Sequence, residues 1–459
     1  MRLFAPDDPR PIHFMGVGGA GMSALALLAR RRGVAVTGCD TDPAGAADVA
    51  AAGADIQRGH DPAHVTGVRA VVFTAAVPAD HPELRAARAA GVPVVRRAEA
   101  LQEAVAAGRV VGIAGTHGKT TTTVMTTEAL TAAGYEPTGL AGGRVPAWGG
   151  NMRPGRDEVF VVEADEYDQA FLALRPDVAV INNVEADHLE CYGSLEALEE
   201  AFVTFAGRAK RVLVGADDPG AMRVAQQVSG EVWRVGMRDD ADLRIRGFAA
   251  QPEGTRAELD LPDGTTVPLA LAVPGAHNVR NAAMAVGVTA ALGADAAAGA
   301  RALGTFGGVG RRFELVGEAG GVVVVDDYAH HPSEVTVTLA AARQRYPARR
   351  LVAVFQPHLY SRTQLHGEAL GAALSAADVA VVTDIYRARE QPIAGVSGEQ
   401  VAAAAREAGV ETIWAPERAT LAARVADLAR EGDVVLTLGA GDVTLVGREL
   451  LARLRGHAA

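Results

Sequence analysis

Short apolar runs rich in β-branched residues alternate along the chain with longer segments rich in alanine and leucine. This alternation is typical of α/β proteins with mostly parallel sheets. Turn signals at residues 252–254 and 262–264 predict a β-hairpin region, and a helix is expected after Pro274 and Gly275. The apolar runs predict strands at residues 12–15, 35–38, 70–74, 92–95, 110–114, 159–162, 178–181, 322–325, 351–355, 379–383 and 434–438.

The same pattern separates into three parts, each of which we expect to form an α/β domain. Residues 1–108 predict a small doubly wound domain that ends in a connecting helix. Residues 109–312 begin with a strand and a glycine-rich loop, and residues 313–459 predict a second open α/β sheet. The predicted fold class is therefore α/β with three domains.

Composition narrows the classes of function. The chain has 459 residues, with 44 basic and 55 acidic side chains and a net charge of −11. This charge argues against a nucleic-acid-binding protein, which would present a basic face. No apolar run is long enough to span a membrane, and no secretory signal pattern is visible. The two cysteines, Cys39 and Cys191, are too few for a disulfide framework or a thiolate metal site. We therefore expect a soluble cytoplasmic protein.

The first candidate site is a glycine loop between a predicted strand and a predicted helix. Gly16, Gly18 and Gly21 have the spacing G-x-G-x-x-G, and Asp40 ends the next strand-like run. This is the dinucleotide-binding fingerprint with its ribose-binding acid. NAD or FAD, another nucleotide, and a tight turn of structural role all remain open for this loop.

A second loop follows the strand at residues 110–114. Its glycines turn backbone N–H groups toward phosphate oxygens, Lys119 supplies a positive charge, and Thr120 offers a hydroxyl to Mg²⁺. Because position 113 is isoleucine, the loop is a shortened variant of the P-loop. The alternative is a glycine-rich turn with a solvated lysine. Two such loops in one chain suggest that the protein consumes one nucleotide. The other nucleotide would be the part of the substrate by which the protein binds it.

Polar residues at predicted strand ends add candidate metal ligands. Glu163 is predicted as the first residue after its strand and suits Mg²⁺. Asp187 and His188 follow the next predicted strand and could lie beside Glu163 across adjacent strand ends. A solvated acidic loop and a packing histidine are the alternatives.

Further polar groups occur later in the chain. His277, Asn278 and Asn281 open a predicted helix, where they suit either capping or contact with adenine and ribose. Arg312 lies at a domain junction, where it could reach a phosphate or form a salt bridge in a linker. Two more groups follow strands of the third part: Asp326, Asp327, Tyr328, His330 and His331, and then His358 and Arg362.

Eight segments together resemble the Mur ligase family: GVGGAGMS, GTHGKTTT, EADEYD, NNVEADH, GAHNVRNA, GVGRRFE, DDYAHHP and FQPHLYSRT. They occur in the family's order over nearly the whole chain. The resemblance implies a Rossmann-like UDP-binding domain, a P-loop-type central ATPase domain and a C-terminal α/β domain that contacts ATP and the amino acid. It implies ATP-dependent ligation of L-alanine to the lactyl carboxylate of UDP-N-acetylmuramate through an acyl phosphate, with Mg²⁺, by a monomer or weak dimer.

Within the family, GVGGAGMS and GVGRRFE favour addition of alanine over attachment of a murein tripeptide. An NAD-dependent oxidoreductase and a non-catalytic nucleotide sensor are the alternatives from other classes. Two departures bear on site assignments. The first lysine after His188 is Lys210, to which we assign no carbamylated role, and position 359 is leucine where several relatives carry arginine.

The resemblance also implies residue roles. It assigns catalysis to Lys119, Glu163, His188 and Arg312, with Thr120, Glu163 and His188 as metal ligands. It assigns the UDP substrate to Gly16, Gly18, Gly19, Ala20, Gly21, Met22, Ser23, Asp40 and His60. It assigns ATP to Gly115, Thr116, His117, Gly118, Lys119, Thr120, Thr121, His277, Asn278, Asn281, Arg312 and Asp326. Binding of the amino acid requires a cation for its carboxylate and a wall that ends at a methyl group, and we assign it to Tyr328, His330, His331, His358 and Arg362.

Overall fold

The computed structural model describes residues 2–388 and 390–457. The chain divides into two compact units. The first consists of residues 1–247, 257–270 and 280–306, and the second of residues 248–256, 271–279 and 307–459. Among the described residues, no helix combines the length and the apolar character needed to cross a membrane.

The N-terminal part of the first unit contains a five-stranded parallel sheet with the order β3-β2-β1-β4-β5. This order is that of a doubly wound sheet, and it confirms the prediction from the apolar runs. The elements are β1 (Ile12–Met15), α1 (Ala20–Arg31), β2 (Val36–Asp40), α2 (Ala47–Ala51), β3 (Asp55–Arg58), β4 (Ala70–Phe73), α3 (Pro82–Ala89), β5 (Val94–Arg96) and α4 (Arg97–Val105).

The following segment forms a ten-stranded sheet with the order β15-β14-β13-β12-β11-β10-β6-β9-β7-β8. Its parallel centre places β6 between β10 and β9. The elements are β6 (Arg109–Ala114), α5 (Lys119–Ala132), β7 (Pro137–Val145), β8 (Gly150–Arg153), β9 (Arg156–Glu163), β10 (Val178–Ile181), α6 (Leu189–Tyr192), α7 (Leu195–Ala206), β11 (Arg211–Gly215), α8 (Pro219–Ala225), β12 (Glu231–Gly236), β13 (Leu243–Gln251), β14 (Gly254–Asp260), β15 (Thr266–Leu271), α9 (Ala276–Ala291) and α10 (Ala296–Ala302).

The two sheets of the first unit share one apolar core. Phe14 and Leu25 of the N-terminal sheet and its helix α1 belong to the same buried cluster as Phe160, Phe202 and Phe205 of the central part. Burial of such large side chains is the main favourable term in folding, so the two parts stabilise each other.

The second unit contains a six-stranded sheet with the order β16-β17-β21-β18-β19-β20. Only β16 and β17 pair antiparallel, and separate apolar clusters cover the sheet. The elements are β16 (Glu314–Ala319), β17 (Val322–Asp327), α11 (Pro332–Arg345), β18 (Leu351–Phe355), α12 (Tyr360–Ala373), β19 (Val379–Val382), α13 (Glu399–Glu407), β20 (Glu411–Trp414), α14 (Arg418–Leu428), β21 (Val434–Leu438) and α15 (Thr444–His457).

Some predicted positions shift by a residue or two. Glu163 is the last residue of β9 instead of the first residue after it, and Asp326 and Asp327 end β17 instead of following it. In each case the sheet extends one or two residues past the apolar run, because backbone pairing continues where the side chains become polar.

Candidate active site

The glycine loop joins β1 to α1 and is held by the end of β2. The Gly16 N–H donates to the Cys39 carbonyl oxygen (2.8 Å), and the Gly18 N–H donates to Asp40 Oδ2 (2.9 Å). A Cβ at Gly18 would lie 2.9 Å from the Asp42 carbonyl oxygen, so no larger residue fits there. The Asp40 carboxylate therefore orders the loop. It also lies at the carboxyl end of β2, and ligands of doubly wound sheets bind at the carboxyl ends of the strands.

The start of α1 is open to an anionic ligand. Gly19 is its N-cap and contributes no side-chain cap. Because the Met22 N–H already donates to the Gly19 carbonyl (3.0 Å), the N–H groups of Ala20 and Gly21 are the ones offered to a phosphate. Ala20 begins the helix, and Asn151 Nδ2 on β8 donates to Ser23 Oγ (2.8 Å). The Met22 side chain is buried in the core and therefore does not face a ligand.

One basic side chain near this loop was missed by the sequence analysis. A Cβ at Gly21 would lie 2.8 Å from an Arg97 guanidinium nitrogen. Arg97 begins α4, more than seventy residues after Gly21 in the sequence, and no local motif marks it. It places a positive charge at the N-terminus of α1, where a diphosphate would bind.

His60, predicted for the same site, lies on the face of the sheet that α3 covers. Its Nδ1 is 3.2 Å from Cys39 Sγ and 3.2 Å from a Glu83 carboxylate oxygen, and its ring packs against His81. Its role toward a uridine group stays a prediction.

The second loop follows β6 and is fixed by the segment after β10. Gly115 and Gly118 have φ values of 131° and 76°, in the region that favours glycine. Asn183 Oδ1 accepts from the His117 N–H (2.7 Å), and the Asn183 carbonyl accepts from the Thr116 N–H (3.0 Å). Because β10 pairs with β6, the Asn183 segment is adjacent to the loop and shapes it.

Lys119 begins α5, the helix that leads away from this loop. Its ammonium donates to the Gly115 carbonyl (2.7 Å), the Thr116 carbonyl (3.2 Å) and Glu166 Oε1 (2.8 Å). Burial alone would lower the pKa of Lys119, but the carboxylates of Glu166, Asp165 and Glu163 outweigh it and raise the pKa. The lysine is therefore charged and is held at the phosphate loop.

Thr120, followed by Thr121 in the same turn, faces a second carboxylate, that of the half-buried Glu163. Thr120 Oγ1 donates to Glu163 Oε1 (3.0 Å), and the Gly142 N–H donates to Glu163 Oε2 (2.6 Å). Burial raises the pKa of Glu163. Within the described part of the chain, Glu166 Oε2 is buried and has no hydrogen-bond partner. A set of buried and half-buried oxygen donors with an unsatisfied carboxylate atom is the kind of site that binds a hard divalent cation.

His188 lies in the segment after β10. It has φ 54°, which is strained for a histidine, and its ring meets Tyr167 edge-on at 5.1 Å between centroids. Its Nδ1 is 3.4 Å from a Glu190 carboxylate oxygen. Strained backbone of this kind clusters at functional sites.

The expectation that His188 and Glu163 come from adjacent strand ends was wrong. His188 follows β10 and Glu163 ends β9, and these two strands lie on opposite sides of β6. Both strands are parallel to β6, so both segments still leave the same edge of the sheet as the Lys119 loop. The parallel order explains the error, because consecutive parallel strands need not be neighbours.

Helix α9 carries the three polar residues predicted for adenine or ribose. In the first unit, Asn281 lies against the phosphate loop, since its Oδ1 would be 2.6 Å from a Cβ at Gly118. In the second unit, Asn278 Nδ2 donates to the Pro274 carbonyl (2.7 Å). Asn278 is therefore not an N-cap, because a cap side chain would accept from the helix. His277 is the second residue of α9.

In the second unit, the acidic end of β17 is paired with arginine and hydroxyl groups. Asp326 accepts from Arg311 Nε (3.1 Å) and from the Thr437 hydroxyl (2.6 Å). Burial raises the pKa of Asp327 to about 6. Arg312 lies 5.1 Å from the Tyr328 ring centroid. Arg311, not Arg312, is thus the partner of Asp326, a choice that the sequence did not indicate.

The remaining predicted residues of this unit form one cluster at the ends of β17 and β18. The rings of Tyr328 and His330 meet at 5.2 Å, and those of His330 and His358 at 5.8 Å. Arg362 Nη1 is 3.1 Å from His358 Nδ1. The His358 ring also stacks on Tyr386, which follows β19 and was not predicted.

Two further features belong to this cluster. Leu359 has φ 70°, a strained value for leucine, and its N–H donates to the Tyr386 carbonyl (3.0 Å). His331 is buried, and its ring meets that of His366 at 4.9 Å. The leucine at position 359 is therefore part of the local geometry that turns α12 toward the cluster.

Comparisons with known proteins agree with this architecture. A model of the Mur ligase family, catalytic domain, matches residues 11–109; one of the Mur ligase middle domain matches residues 113–289; and one of the Mur ligase, glutamate ligase domain, matches residues 311–441. A curated UDP-N-acetylmuramate–L-alanine ligase from Streptomyces coelicolor is 43% identical over 98% of this chain and 98% of its own.

Two solved structures are also similar. A UDP-N-acetylmuramate–alanine ligase from Thermotoga maritima has a TM-score of 0.83 and 28% identity, covering 97% of this chain and 99% of its own. A murein peptide ligase from Psychrobacter arcticus has a TM-score of 0.73 and 25% identity with the same coverage. The fold and the two phosphate-type loops, one at Gly16 and one at Lys119, define an α/β protein that binds nucleotides. The chain belongs to the Mur ligase family.

Proposed function

We propose that this chain joins L-alanine to the lactyl carboxylate of UDP-N-acetylmuramate, with ATP converted to ADP and phosphate. The observation that carries the proposal is the presence of two phosphate loops of different chemistry in one unit. The Lys119 loop offers a lysine and a hydroxyl that contact the carboxylates of Glu166 and Glu163, whereas the Gly16 loop has a diphosphate-type turn ordered by Asp40. One loop suits phosphoryl transfer and the other suits a nucleotide-linked substrate.

In the first step, an oxygen of the lactyl carboxylate attacks the γ-phosphorus of ATP. The bond to the β,γ-bridging oxygen breaks, giving an acyl phosphate and ADP. Lys119 leaves Glu166 and offsets the negative charge on the transferred group, and Arg312 contributes a second positive charge. Gly115, Thr116, His117, Gly118 and Thr121 surround the phosphates, while His277, Asn278, Asn281 and Asp326 contact the nucleotide.

A Mg²⁺ ion fits the residues beside Lys119. Thr120 and Glu163 would hold one ion, and His188 would serve a second. The unsatisfied oxygen of buried Glu166 supports a cation at this place. When bound, the ion supplies charge neutralisation for the phosphate oxygens.

In the second step, the neutral amine of alanine attacks the acyl carbonyl carbon. The bond from that carbon to the phosphate oxygen breaks, phosphate leaves, and a proton leaves the nitrogen. Arg362, with His358 beside it, holds the alanine carboxylate, Tyr328 limits the side-chain space to about a methyl group, and His330 or His331 steadies the amine. One methylene changes binding by only about 1–3 kcal/mol, so serine and glycine remain poorer substrates.

The UDP part of the substrate binds at the N-terminal sheet. Gly16, Gly18, Gly19, Ala20 and Gly21 receive the diphosphate, with Met22 and Ser23 behind them, and Asp40 and His60 contact uridine.

The UDP-binding, ATP-binding and amino-acid-binding domains proposed here consist of residues 1–108, 109–312 and 313–459. We further propose a cytoplasmic location, because ATP and the UDP-sugar are cytoplasmic metabolites, and a monomer or weak dimer, as the sequence resemblance implies.

Phosphate release in a substrate-omission assay tests this function. The full protein is incubated with UDP-N-acetylmuramate, L-alanine, ATP and Mg²⁺, and each component is then left out in turn. We expect phosphate only when all components are present. Release without the UDP-sugar or without an amino acid would contradict the proposal.

An amino-acid panel in the same assay tests specificity. L-Alanine is expected to be the best substrate, with serine and glycine slower and glutamate inactive. A higher rate with the tripeptide L-Ala-γ-D-Glu-diaminopimelate would instead indicate a ligase that attaches a murein tripeptide.

A further inference from the structure

Four side chains outside the phosphate loops converge on the face of the N-terminal sheet that α3 covers. They come from four elements: His13 from β1, Cys39 from β2, His64 from the turn after β3, and Glu83 from the first turn of α3. One donor atom of each lies within 4.8 Å of the other three. His13, Cys39 and Glu83 are buried, with no more than 1% of their surface exposed.

The distances within this cluster are close to those of a metal coordination shell. His13 Nε2 is 3.3 Å from Cys39 Sγ, which is 3.4 Å from Glu83 Oε2, and His64 Nδ1 is 2.7 Å from Glu83 Oε1. A tetrahedral site with metal–ligand bonds of about 2.0–2.3 Å has edges of roughly 3.3–3.8 Å. Small side-chain movements therefore suffice to place one ion among the four donors.

Supporting hydrogen bonds already orient two of the donors. His13 Nδ1 is 2.9 Å from the Thr37 hydroxyl, and donation to that oxygen leaves the lone pair of Nε2 directed at the cluster. The Asp61 N–H donates to Glu83 Oε1 (2.8 Å). Outer contacts of this kind are a regular feature of protein metal sites, since they fix the tautomer and orientation of the ligands.

Burial and hydrogen bonding set the charge states of three of these side chains before any ion binds. Burial lowers the pKa of His13 to about 4, so the imidazole is neutral. Burial opposes ionisation of Glu83, but hydrogen bonds from Asp61, His64 and Cys39 outweigh it and lower its pKa. Burial and the nearby Glu83 carboxylate raise the pKa of the Cys39 thiol.

We propose that His13, Cys39, His64 and Glu83 form a Zn²⁺ site in the N-terminal domain. Imidazole and thiolate donors suit zinc, which is borderline in softness, and do not suit Mg²⁺, which requires oxygen ligands. Coordination converts the Cys39 thiol to a thiolate and releases its proton to solvent. His64 is 19% exposed at its side chain and provides the route by which the ion reaches the site.

A zinc ion here acts on the scaffold of the glycine loop. The Cys39 carbonyl accepts from the Gly16 N–H (2.8 Å) and the Val17 N–H (3.2 Å). Fixing the Cys39 side chain therefore also fixes the base of the loop that precedes α1. The role is structural, and the site is separate from the oxygen-rich site at Thr120 and Glu163.

The number of cysteines alone had argued against a thiolate metal site, since the chain has only two. One cysteine is enough when histidine and carboxylate ligands complete the set. The four ligands are spread between residues 13 and 83 with no short spacing motif, so only the fold brings them together.

Cobalt substitution of the full protein tests the site. After removal of metals with a chelator, Co²⁺ is added in the presence of excess Mg²⁺, which occupies oxygen-only sites. We expect one tight Co²⁺ per chain, a thiolate-to-cobalt charge-transfer absorption, and displacement by Zn²⁺. Cys39→Ser should abolish this absorption, whereas the matched variant Cys191→Ser should retain it.

His64→Ala provides a second variant at the partly exposed rim, useful if Cys39→Ser fails to fold. It should weaken Co²⁺ binding at least about tenfold while circular dichroism stays unchanged. Absence of the charge-transfer absorption in the unmodified protein, or its persistence in Cys39→Ser, would overturn the proposal. Unchanged Co²⁺ affinity in His64→Ala would overturn the assigned ligand set.

Discussion

Replacing Lys119 with methionine separates the catalytic role of this lysine from its role in stability. Methionine keeps an unbranched stem but removes the ammonium, which is only 14% exposed and contacts Glu166, itself 2% exposed. Removing one partner of a buried ion pair costs about 3–5 kcal/mol, because the other charge stays buried without compensation. Removing a charge positioned at a transition state costs about 2.7–4 kcal/mol, a hundred- to thousandfold in kcat.

The double variant Lys119→Met, Glu166→Gln distinguishes these two effects. It removes both charges, so most of the lost stability should return. Turnover should remain reduced by at least about a hundredfold, because the γ-phosphoryl group still lacks its positive charge. Glu166→Gln alone serves as the matched control that keeps Lys119 and its bonds to the Gly115 and Thr116 carbonyls.

Two measurements on the full chain separate the effect of these variants on stability from their effect on catalysis. Urea unfolding gives stability, and phosphate release at saturating substrates gives turnover. If the double variant recovers both stability and turnover, Lys119 merely neutralises Glu166 and the catalytic reasoning is refuted. Turnover near that of the unmodified protein in Lys119→Met would refute it equally.

Three further predictions follow from the other contacts. Asp40→Asn should weaken UDP-N-acetylmuramate binding about tenfold in calorimetry, because the bond that residue 40 accepts from the Gly18 N–H loses its charge assistance. Glu163→Gln should raise the Mg²⁺ concentration needed for half-maximal activity, with little change in UDP-sugar affinity. Arg362→Ala should raise KM for alanine by about tenfold or more, and KM for UDP-N-acetylmuramate should stay unchanged.

Each of these has a result that would contradict it. Unchanged UDP-sugar affinity in Asp40→Asn would limit that carboxylate to a role outside substrate binding. An unaltered Mg²⁺ titration would remove Glu163 from the metal site. Equal increases in both KM values for Arg362→Ala would indicate a general disturbance of α12, and Arg362→Lys is the control that keeps the charge.

Much of the fold follows directly from local patterns. The strands at residues 12–15, 178–181, 351–355 and 434–438 coincide with the observed ones, because each is a short buried run of apolar residues. Both loops could be identified because glycines and the polar residues beside them are contiguous in sequence. Edge strands such as β3 and β20 were missed, since few of their residues are buried.

Contacts between distant segments could not be predicted in this way. The pairing of Lys119 with Glu166, the position of Arg97 at α1, and the order of β10, β6 and β9 depend on how the parallel strands are arranged. The choice of Arg311 over Arg312 as the partner of Asp326 depends on backbone direction at a junction where Arg311 has φ 57°. These are tertiary properties, and local spacing does not encode them.

The most direct test of the proposed reaction follows oxygen from the substrate carboxylate. UDP-N-acetylmuramate is prepared with its lactyl carboxylate oxygens labelled with a heavy isotope, and the phosphate and product are analysed by mass spectrometry. An acyl-phosphate route predicts one labelled oxygen in each phosphate released and one retained in the new amide, with ADP as the nucleotide product. Unlabelled phosphate, or AMP and pyrophosphate as products, would contradict the proposed reaction.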